Sequence, residues 1–362
     1  MSTPPARRSL LSARAAELET CGYCPKLCRS ACPVAEAAPN EALTPWGKMT
    51  LAWWGDRGLV ATDEEVARTA WACTGCGACS GRCAHHNPVG SVLRAARADH
   101  ASTGNEPAAA RAVAAGHARR RAEAAPTLAA LGALPGVRAD ATAVVLVGCG
   151  YLRHAPAVAR SIVRVAARLA GGVHVARGCC GLALAEAGDA SGAANALAEL
   201  VAEVGARRLV VGDPGCALHL AEATGRRPTS LAELAAGAGP RIAIVPELAG
   251  RALRWLDPCR LGRGLGVYDE PRAALGRALG RAPAELPWAR EQSRCSGGGG
   301  LLPLTYPDES RAIADARIAE HQEAGGGELV VGCAGSLVRL RSRGARVVDF
   351  AEIVDRALGG DD

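Results

Sequence analysis

From residue 143 onward, short apolar runs alternate with Ala- and Leu-rich stretches. The runs occupy residues 143–147, 173–175, 209–211, 242–245, 329–331 and 347–348. Continuous apolar runs of this length, separated by helix-length segments, predict buried parallel strands in βαβ units. Before residue 143 the pattern differs. Residues 46–62, and the segment opened by Asp63, Glu64 and Glu65, read as short helices, because acidic side chains suit a helix N-terminus. Residues 106–125 are rich in Ala and Arg and read as a helical linker closed by Pro126 and Pro135-Gly136. The expected fold class is α + α/β. Its parts are an N-terminal helical extension (1–20), an all-helical domain (21–105), the linker (106–142) and two α/β repeats (143–240 and 241–358).

The two α/β parts echo one another. Gly178-Cys179-Cys180-Gly181 returns as Arg294-Cys295-Ser296-Gly297, and the segment from Val210 to Cys216 returns between Leu329 and Ser336. In that alignment Asp213 matches Cys333, and Cys216 matches Ser336.

The composition narrows the class. The chain has 362 residues, 49% hydrophobic and 22% charged, an ordinary globular balance long enough for two or three domains. No apolar run reaches membrane-span length, and residues 1–20 carry Arg7, Arg8 and Arg14 without a signal-peptide core. The expectation is a cytoplasmic protein, with a peripheral seat at the inner face of the cell membrane as a further option. In a reducing compartment, 15 cysteines point to metal or redox chemistry rather than disulfides. A net charge of +6 with interspersed acidic residues does not single out a nucleic-acid binder, and none is expected as partner. Lys26 and Lys48 are the only lysines, which reads as coding bias. The run Arg119-Arg120-Arg121 reads as a solvated helix face, with an anionic membrane or a partner as its rival.

Eight cysteines form two tight motifs: Cys21-x2-Cys24-x3-Cys28-x3-Cys32-Pro33 and Cys73-x2-Cys76-x2-Cys79-x3-Cys83. The second has bacterial ferredoxin spacing. A straight helix would line such cysteines along one stripe, so the backbone must wrap to surround a cubane cluster. Gly22 and Pro25 in the first motif, and Gly75 and Gly77 in the second, are the expected turn residues. In two-cluster ferredoxins the last cysteine of each motif ligates the other cluster. That rule predicts two [4Fe-4S] clusters, one on Cys21, Cys24, Cys28 and Cys83, the other on Cys73, Cys76, Cys79 and Cys32. The rivals are paired zinc sites or buried thiols; zinc knuckles normally come as separated pairs.

The segment from Cys73 to Cys79, with Asn87-Pro88-Val89 downstream, resembles the helical ferredoxin domain of succinate dehydrogenase-type iron–sulfur subunits. Unlike that family, Cys83 is followed by Ala84, His85 and His86 rather than proline; these histidines read as helix-start residues. The C-terminal half resembles the CCG domain found twice in heterodisulfide reductase B subunits, glycolate oxidase iron–sulfur subunits and anaerobic glycerol-3-phosphate dehydrogenase C subunits. The first repeat has Cys149, Cys179, Cys180 and Cys216, with Asp213 in place of a fifth cysteine. The second opens with the family-like segment from Leu256 to Arg263 and the stretch from Tyr268 to Arg272. It keeps Cys259, Cys295 and Cys333, with Ser296 and Ser336 at cysteine positions.

The resemblance implies that all seven repeat cysteines are metal ligands. The four thiols of the first repeat suffice for one further iron–sulfur cluster. The second repeat would need a serine oxygen, Asp213 or solvent, or else it is degenerate with its cysteines buried as core. Residues 297–300 are expected to be a flexible glycine backbone able to approach a cluster.

Gly148-Cys149-Gly150 opens like a dinucleotide fingerprint, but Arg153 stands where the third glycine belongs, so nicotinamide or flavin binding is not expected. His154, His174, His219 and His321 are scattered; His219, three residues after Cys216, could donate to a ligand there, but surface or core placement is the plainer reading. No catalytic residue is assignable. The expected function is an electron-transfer subunit of an oxidoreductase. Its expected partners are a flavoprotein dehydrogenase, acting on a 2-hydroxy acid or glycerol 3-phosphate, and quinone or another carrier. The alternatives are a disulfide-reducing catalyst of the heterodisulfide reductase kind and a non-redox zinc or scaffold protein.

Overall fold

The computed structural model describes residues 9–359; the first eight residues of the expected N-terminal extension, with Arg7 and Arg8, lie outside them. Among the described residues no strand precedes residue 143, so the N-terminal part is helical as its pattern predicts. Its first α-helix, Ala15–Gly22, runs across the expected boundary at residue 20 and through Cys21. The helices Pro45–Asp56 and Val89–Ser102 pack with it around Leu18, Met49, Trp71, Val92 and Leu93.

The linker is two packed helices, Ala108–Ala115 and His117–Gly132. Pro126 does not close the second but lies inside it. Proline removes one helical hydrogen bond. Here the helix continues because its far end buries Leu131 completely against the α/β core.

Two four-stranded parallel sheets follow. The first comprises β1 (Ala143–Leu146), β2 (His174–Val175), β3 (Arg208–Val211) and β4 (Thr229–Ser230), in the order β2-β1-β3-β4. The second comprises β5 (Leu253–Trp255), β6 (Ala284–Glu285), β7 (Glu328–Val331) and β8 (Val347–Asp349), in the order β6-β5-β7-β8. The two orders are equivalent. In the central strands Val145 lies opposite both Val175 and Val210, and Arg254 opposite Ala284 and Leu329. β1 is buried along its whole length, which explains its unbroken apolar sequence.

Residues 242–245 are not a strand. Ile242 and Val245 are buried, but Ile244 is exposed. The amides of Ala243 and Val245 donate to Ala357 and Ala278 at two helix ends, and Pro246 follows. The segment is a connector whose hydrogen bonds are spent on helices, and β5 takes the expected place.

Helices join the sheets into one core. In Pro156–Ala170, proline occupies the first turn, Gly171 ends the helix with φ 71°, and Val158, Ile162, Val165 and Ala166 share a buried face. That helix packs on Phe350–Ala357, where Arg164 Nε donates to the buried Asp355 at 2.7 Å. Leu231–Ala236 packs on Asp269–Leu279 in the same layer. The first sheet thus contacts the second through helices, not strand edges. Among the described residues no helix is long and apolar enough to cross a membrane.

Candidate metal centres

The helical region brings the eight motif cysteines together in two sets. Cys21 lies within electrostatic reach of Cys24, Cys28 and Cys83. Cys32 lies within reach of Cys73 and Cys76, and Cys79 within reach of Cys73, Cys76 and Cys32. The fourth cysteine of each motif therefore sits with the other motif. Cys32 gets there because it is extended (φ −87°, ψ 116°) at the mouth of a helix that Pro33 starts.

The wrap of the second motif uses Gly75 and Gly77, both with positive φ, as its sequence predicts. In the first motif the chain turns between Gly22 and Leu27, a break that includes Pro25 as expected. Gly22 remains helical, and Lys26 takes the left-handed conformation at φ 68° with its ammonium 3.9 Å over the Trp46 ring.

Each set receives a nitrogen donor that the sequence reading did not single out. Asn87 Nδ2 donates to Cys21 Sγ at 3.0 Å and to the Glu17 carbonyl at 2.7 Å. Lys48, only 1% exposed, places Nζ 3.9 Å from Cys32 Sγ and 2.6 Å from the Ala72 carbonyl. A buried ammonium is costly without a partner, and here it faces sulfur. The available signal was rarity: in a chain that otherwise uses arginine, the two lysines stand at the first motif's turn and beside Cys32.

In the first α/β repeat, Cys149 follows β1, Cys179 and Cys180 follow β2, and Cys216 follows β3. All four lie at the carboxyl ends of parallel strands, flanking the point where strand order reverses, the usual ligand position in such sheets. Cys179 lies beside Cys180, Cys180 also meets Cys216, and Cys149 lies within electrostatic reach of all three. Gly148, at φ 104°, permits this closeness: a Cβ there would stand 2.8 Å from Asp213 and 3.7 Å from Cys216 Sγ.

The four sulfurs wall a cavity of about 200 Å³ whose other side carries Arg120, Arg121 and Arg153. Arg119 and Arg121 are exposed and pair with Glu123 and Glu199, as a solvated helix face would, and Arg121 borders the cavity; only Arg120 is half-buried against it. Burial and the nearby Arg153 push the Arg120 guanidinium below its usual pKa; its side chain donates to the Val113 carbonyl.

The second repeat is built differently at the corresponding positions. Ser296 Oγ and Ser336 Oγ lie 2.8 Å apart and bond to one another. Asp213, a candidate iron donor from sequence, has both oxygens engaged by amides. Oδ1 accepts from Gly215 and Cys216, capping Pro214–Thr224, and Oδ2 accepts from Ala334 of the second repeat at 3.1 Å. Cys333 lies near Cys259 and Asp213.

Cys259 and Cys295 turn to the helical region instead, where Cys295 lies beside both Cys259 and Cys76 and its thiol donates to Thr74 Oγ1 at 3.5 Å. The neighbouring sulfurs and burial push the Cys295 thiol up, and contact with Cys295 pulls Cys76 down. The glycine run 297–300 is no free loop: it packs on the Cys73–Thr74 backbone, where a Cβ on Gly300 would collide with the Cys73 carbonyl.

The family-like segment around Cys259 is a docking surface for the second motif. Arg263 Nε donates to the Cys76 carbonyl at 2.7 Å. Arg260 bonds Glu186 at 2.6 Å and the Thr74 carbonyl at 3.4 Å. Glu186 also pairs with Arg97, whose Nη2 donates to the Cys73 carbonyl at 2.7 Å. Burial opposes ionisation of Glu186, but Arg97 and Arg260 overcome it and hold the carboxyl at about 2. Asp257 supports this surface by accepting both Arg272 nitrogens at 2.8 Å.

His85 and His86 are exposed turn residues before the helix rather than its start, and His86 has φ 48°. His219 is buried near Arg94, Glu186 and Glu222, and His174 pairs with Glu203 at 3.2 Å.

The donors in each set are thiols alone, the ligands that iron–sulfur clusters take. The sulfurs are grouped in two sets of four in the helical region and one in the first repeat. Burial pushes the Cys21 thiol up to about 12 and the Cys149 thiol, although it opens to solvent, up to about 11. Such thiols are inert until a metal displaces their protons.

The model of the 4Fe-4S dicluster domain matches residues 17–87, and that of the cysteine-rich CCG domain matches 143–221 and 253–341. A probable membrane-anchored ferredoxin of Chromohalobacter salexigens is 37% identical over 125 residues, covering 33% of this chain and 18% of that protein. A subunit of the dihydromethanophenazine:CoB–CoM heterodisulfide reductase of Methanosarcina mazei is 34% identical over 70 residues, covering 19% of this chain and 17% of that protein. Lactate utilization protein A 2 of Bacillus cereus is 27% identical over 107 residues, covering 28% and 43% respectively. The chain thus spans less than half the length of each of these relatives.

Proposed function

We propose that this chain, which belongs to the CCG-domain iron–sulfur proteins and carries a 4Fe-4S dicluster domain ahead of its two CCG segments, is the electron-transfer subunit of an oxidoreductase complex. It takes single electrons from a flavoprotein dehydrogenase acting on a 2-hydroxy acid or glycerol 3-phosphate and delivers them to quinone or another carrier. Bound 4Fe-4S clusters supply the one-electron redox chemistry that side chains lack.

The observation that carries this reading is the exchange of fourth cysteines between the motifs. Cys21, Cys24, Cys28 and Cys83 hold one cluster; Cys73, Cys76, Cys79 and Cys32 hold the other. Asn87 and Lys48 orient a ligand of each and offset its negative charge. In the first CCG repeat, Cys149, Cys179, Cys180 and Cys216 hold a third centre, with Arg120, Arg121 and Arg153 offsetting its charge across the cavity.

Anaerobic purification with iron, zinc and acid-labile sulfide analysis tests the reading. The expected result is iron and sulfide in near-equal amounts and electron paramagnetic resonance signals after dithionite. Cys32→Ala should remove the same signal as Cys79→Ala, and Cys83→Ala the same signal as Cys28→Ala. Zinc without sulfide would end the proposal. Reduction of the purified chain by a candidate flavoprotein and its substrate, followed in the visible spectrum, tests the partner separately.

A further inference from the structure

The two cysteine sets of the dicluster domain differ in what covers them. Residues 73–79 carry Cys73, Cys76 and Cys79, and not one of the seven is exposed. The second repeat closes over them: Gly300 presses on the Cys73 carbonyl, while Arg263 and Arg260 donate to the carbonyls of Cys76 and Thr74. Around Cys21, Cys24, Cys28 and Cys83 the pattern is inverted. In residues 23–30 every residue except Cys24 and Cys28 is exposed, and in residues 81–86 every residue except Cys83. The two stretches adjoin through the turns Leu27–Ala31 and Ala78–Gly81. These sulfurs lie directly beneath a rim of exposed side chains.

The rim is apolar in part and cationic. Tyr23 is 79% and Leu27 64% exposed, and exposed apolar surface of this kind marks interaction sites. Residues 20–35 and 77–98 contain no Asp or Glu. Of the rim's cations Arg29 is offset by Glu41, whereas Lys26 and Arg82 pair with no carboxylate among the described residues; Glu19, on the preceding helix, is the nearest unpaired carboxylate in sequence. We propose that this rim is the docking face for the electron donor, a flavoprotein that presents acidic side chains around its flavin, and that electrons enter at the centre on Cys21, Cys24, Cys28 and Cys83. Electron transfer falls steeply with distance, so the less covered centre is the entry. One electron leaves the reduced flavin and reduces the centre, and no bond forms or breaks. Lys26 and Arg82 steer the approach, and Tyr23 and Leu27 exclude water from the contact.

The inference rests on the electron-transfer reading, and the test separates the two. Electron exchange between flavodoxin, a small acidic flavoprotein, and the anaerobic full chain is followed by stopped flow at rising ionic strength. Iron, sulfide and midpoint potentials are measured on the same samples. Exchange with wild type should slow steeply with salt. Lys26→Glu and Arg82→Glu should each slow it by about tenfold at low salt, flatten the salt dependence and leave iron, sulfide and midpoints unchanged. Arg160→Glu, on the exposed side of a helix in the first repeat, should change nothing. Succinylation of the loaded wild-type chain reverses the charge of Lys26 without refolding, because the other lysine, Lys48, is 1% exposed. It should reproduce the Lys26→Glu result, and bound flavodoxin should protect Lys26 from the reagent. Absent exchange, or rates indifferent to salt and to both charge reversals, would overturn the inference. So would lost iron or shifted midpoints after succinylation, which would make Lys26 part of the centre itself. Binding to phosphatidylglycerol vesicles that Lys26→Glu abolishes, with flavodoxin rates unaltered, would assign the rim to a membrane and overturn it as well. A wild-type chain without iron and sulfide would instead overturn the electron-transfer reading.

Discussion

The two α/β repeats share a strand order and place their cysteines at the same strand ends, yet they do different things with them. In the first, four thiols gather on one cavity faced by arginines. In the second, two serines pair off, and Asp213 of the first repeat caps its own helix and bonds the amide of Ala334. Cys295 and the arginines after Cys259 reach out to Cys76, Thr74 and Glu186. One scaffold thus serves as a metal-site candidate in one copy and as a docking surface in the other. Changes at three donor positions separate them, because a thiol set short of one partner gains more from hydrogen bonds than from an incomplete metal shell.

The largest test of that contrast is metal content. Cys180→Ala and Cys216→Ala should each abolish the iron and sulfide of the first repeat while leaving the dicluster domain loaded. Cys333→Ala should leave the content unchanged, and parallel losses would erase the contrast.

Next comes the docking surface. Glu186→Gln leaves Arg97 and Arg260 without their buried counter-charge and should destabilise the chain by about 3–5 kcal/mol, read by anaerobic denaturant unfolding. The native carboxyl is held near 2, against an ordinary value of 4.5, so its contribution is complete above about pH 5 and is lost as pH falls toward 2. The variant should therefore show a shallower acid transition than wild type, and identical acid profiles would contradict the role.

A smaller effect concerns the joint between the repeats, where Tyr151 donates to Asp349 at 2.8 Å. Burial raises the Asp349 carboxyl to about 7 from an ordinary 3.8, so its contribution is complete below about pH 4 and is lost as pH rises through 7. Asp349→Asn should flatten the decline in stability across that window, at about 1.4 kcal/mol per pH unit where the slope is full. An unchanged slope would remove the buried proton from the account.

The smallest expected effect is Asp213→Ala, which removes a helix cap and the bond to Ala334 and should cost about 1–2 kcal/mol. Iron content should hold, whereas a loss would make Asp213 a ligand after all.

Motif spacing predicted the grouping of Cys21 to Cys83, and the apolar runs at 143–147, 209–211 and 329–331 predicted strands that the structure contains. The run at 242–245 deceived because its apolar side chains pack as a connector, while β4 and β6 are too short and polar to show a pattern. In the run Arg119-Arg120-Arg121 only Arg120 is half-buried against the cavity, since successive helical residues point about 100° apart.

Local chemistry is what the chain declares by itself. Cysteine spacing prescribes clusters because four sulfurs within a dozen residues must wrap one centre, and apolar runs prescribe strands because buried sheets admit little else. Which cysteines stay with their own repeat was decided only in three dimensions. Cys295 meets Cys76, and Lys48 meets Cys32, through contacts between distant segments, and no local pattern encodes which surface a loop will finally cover.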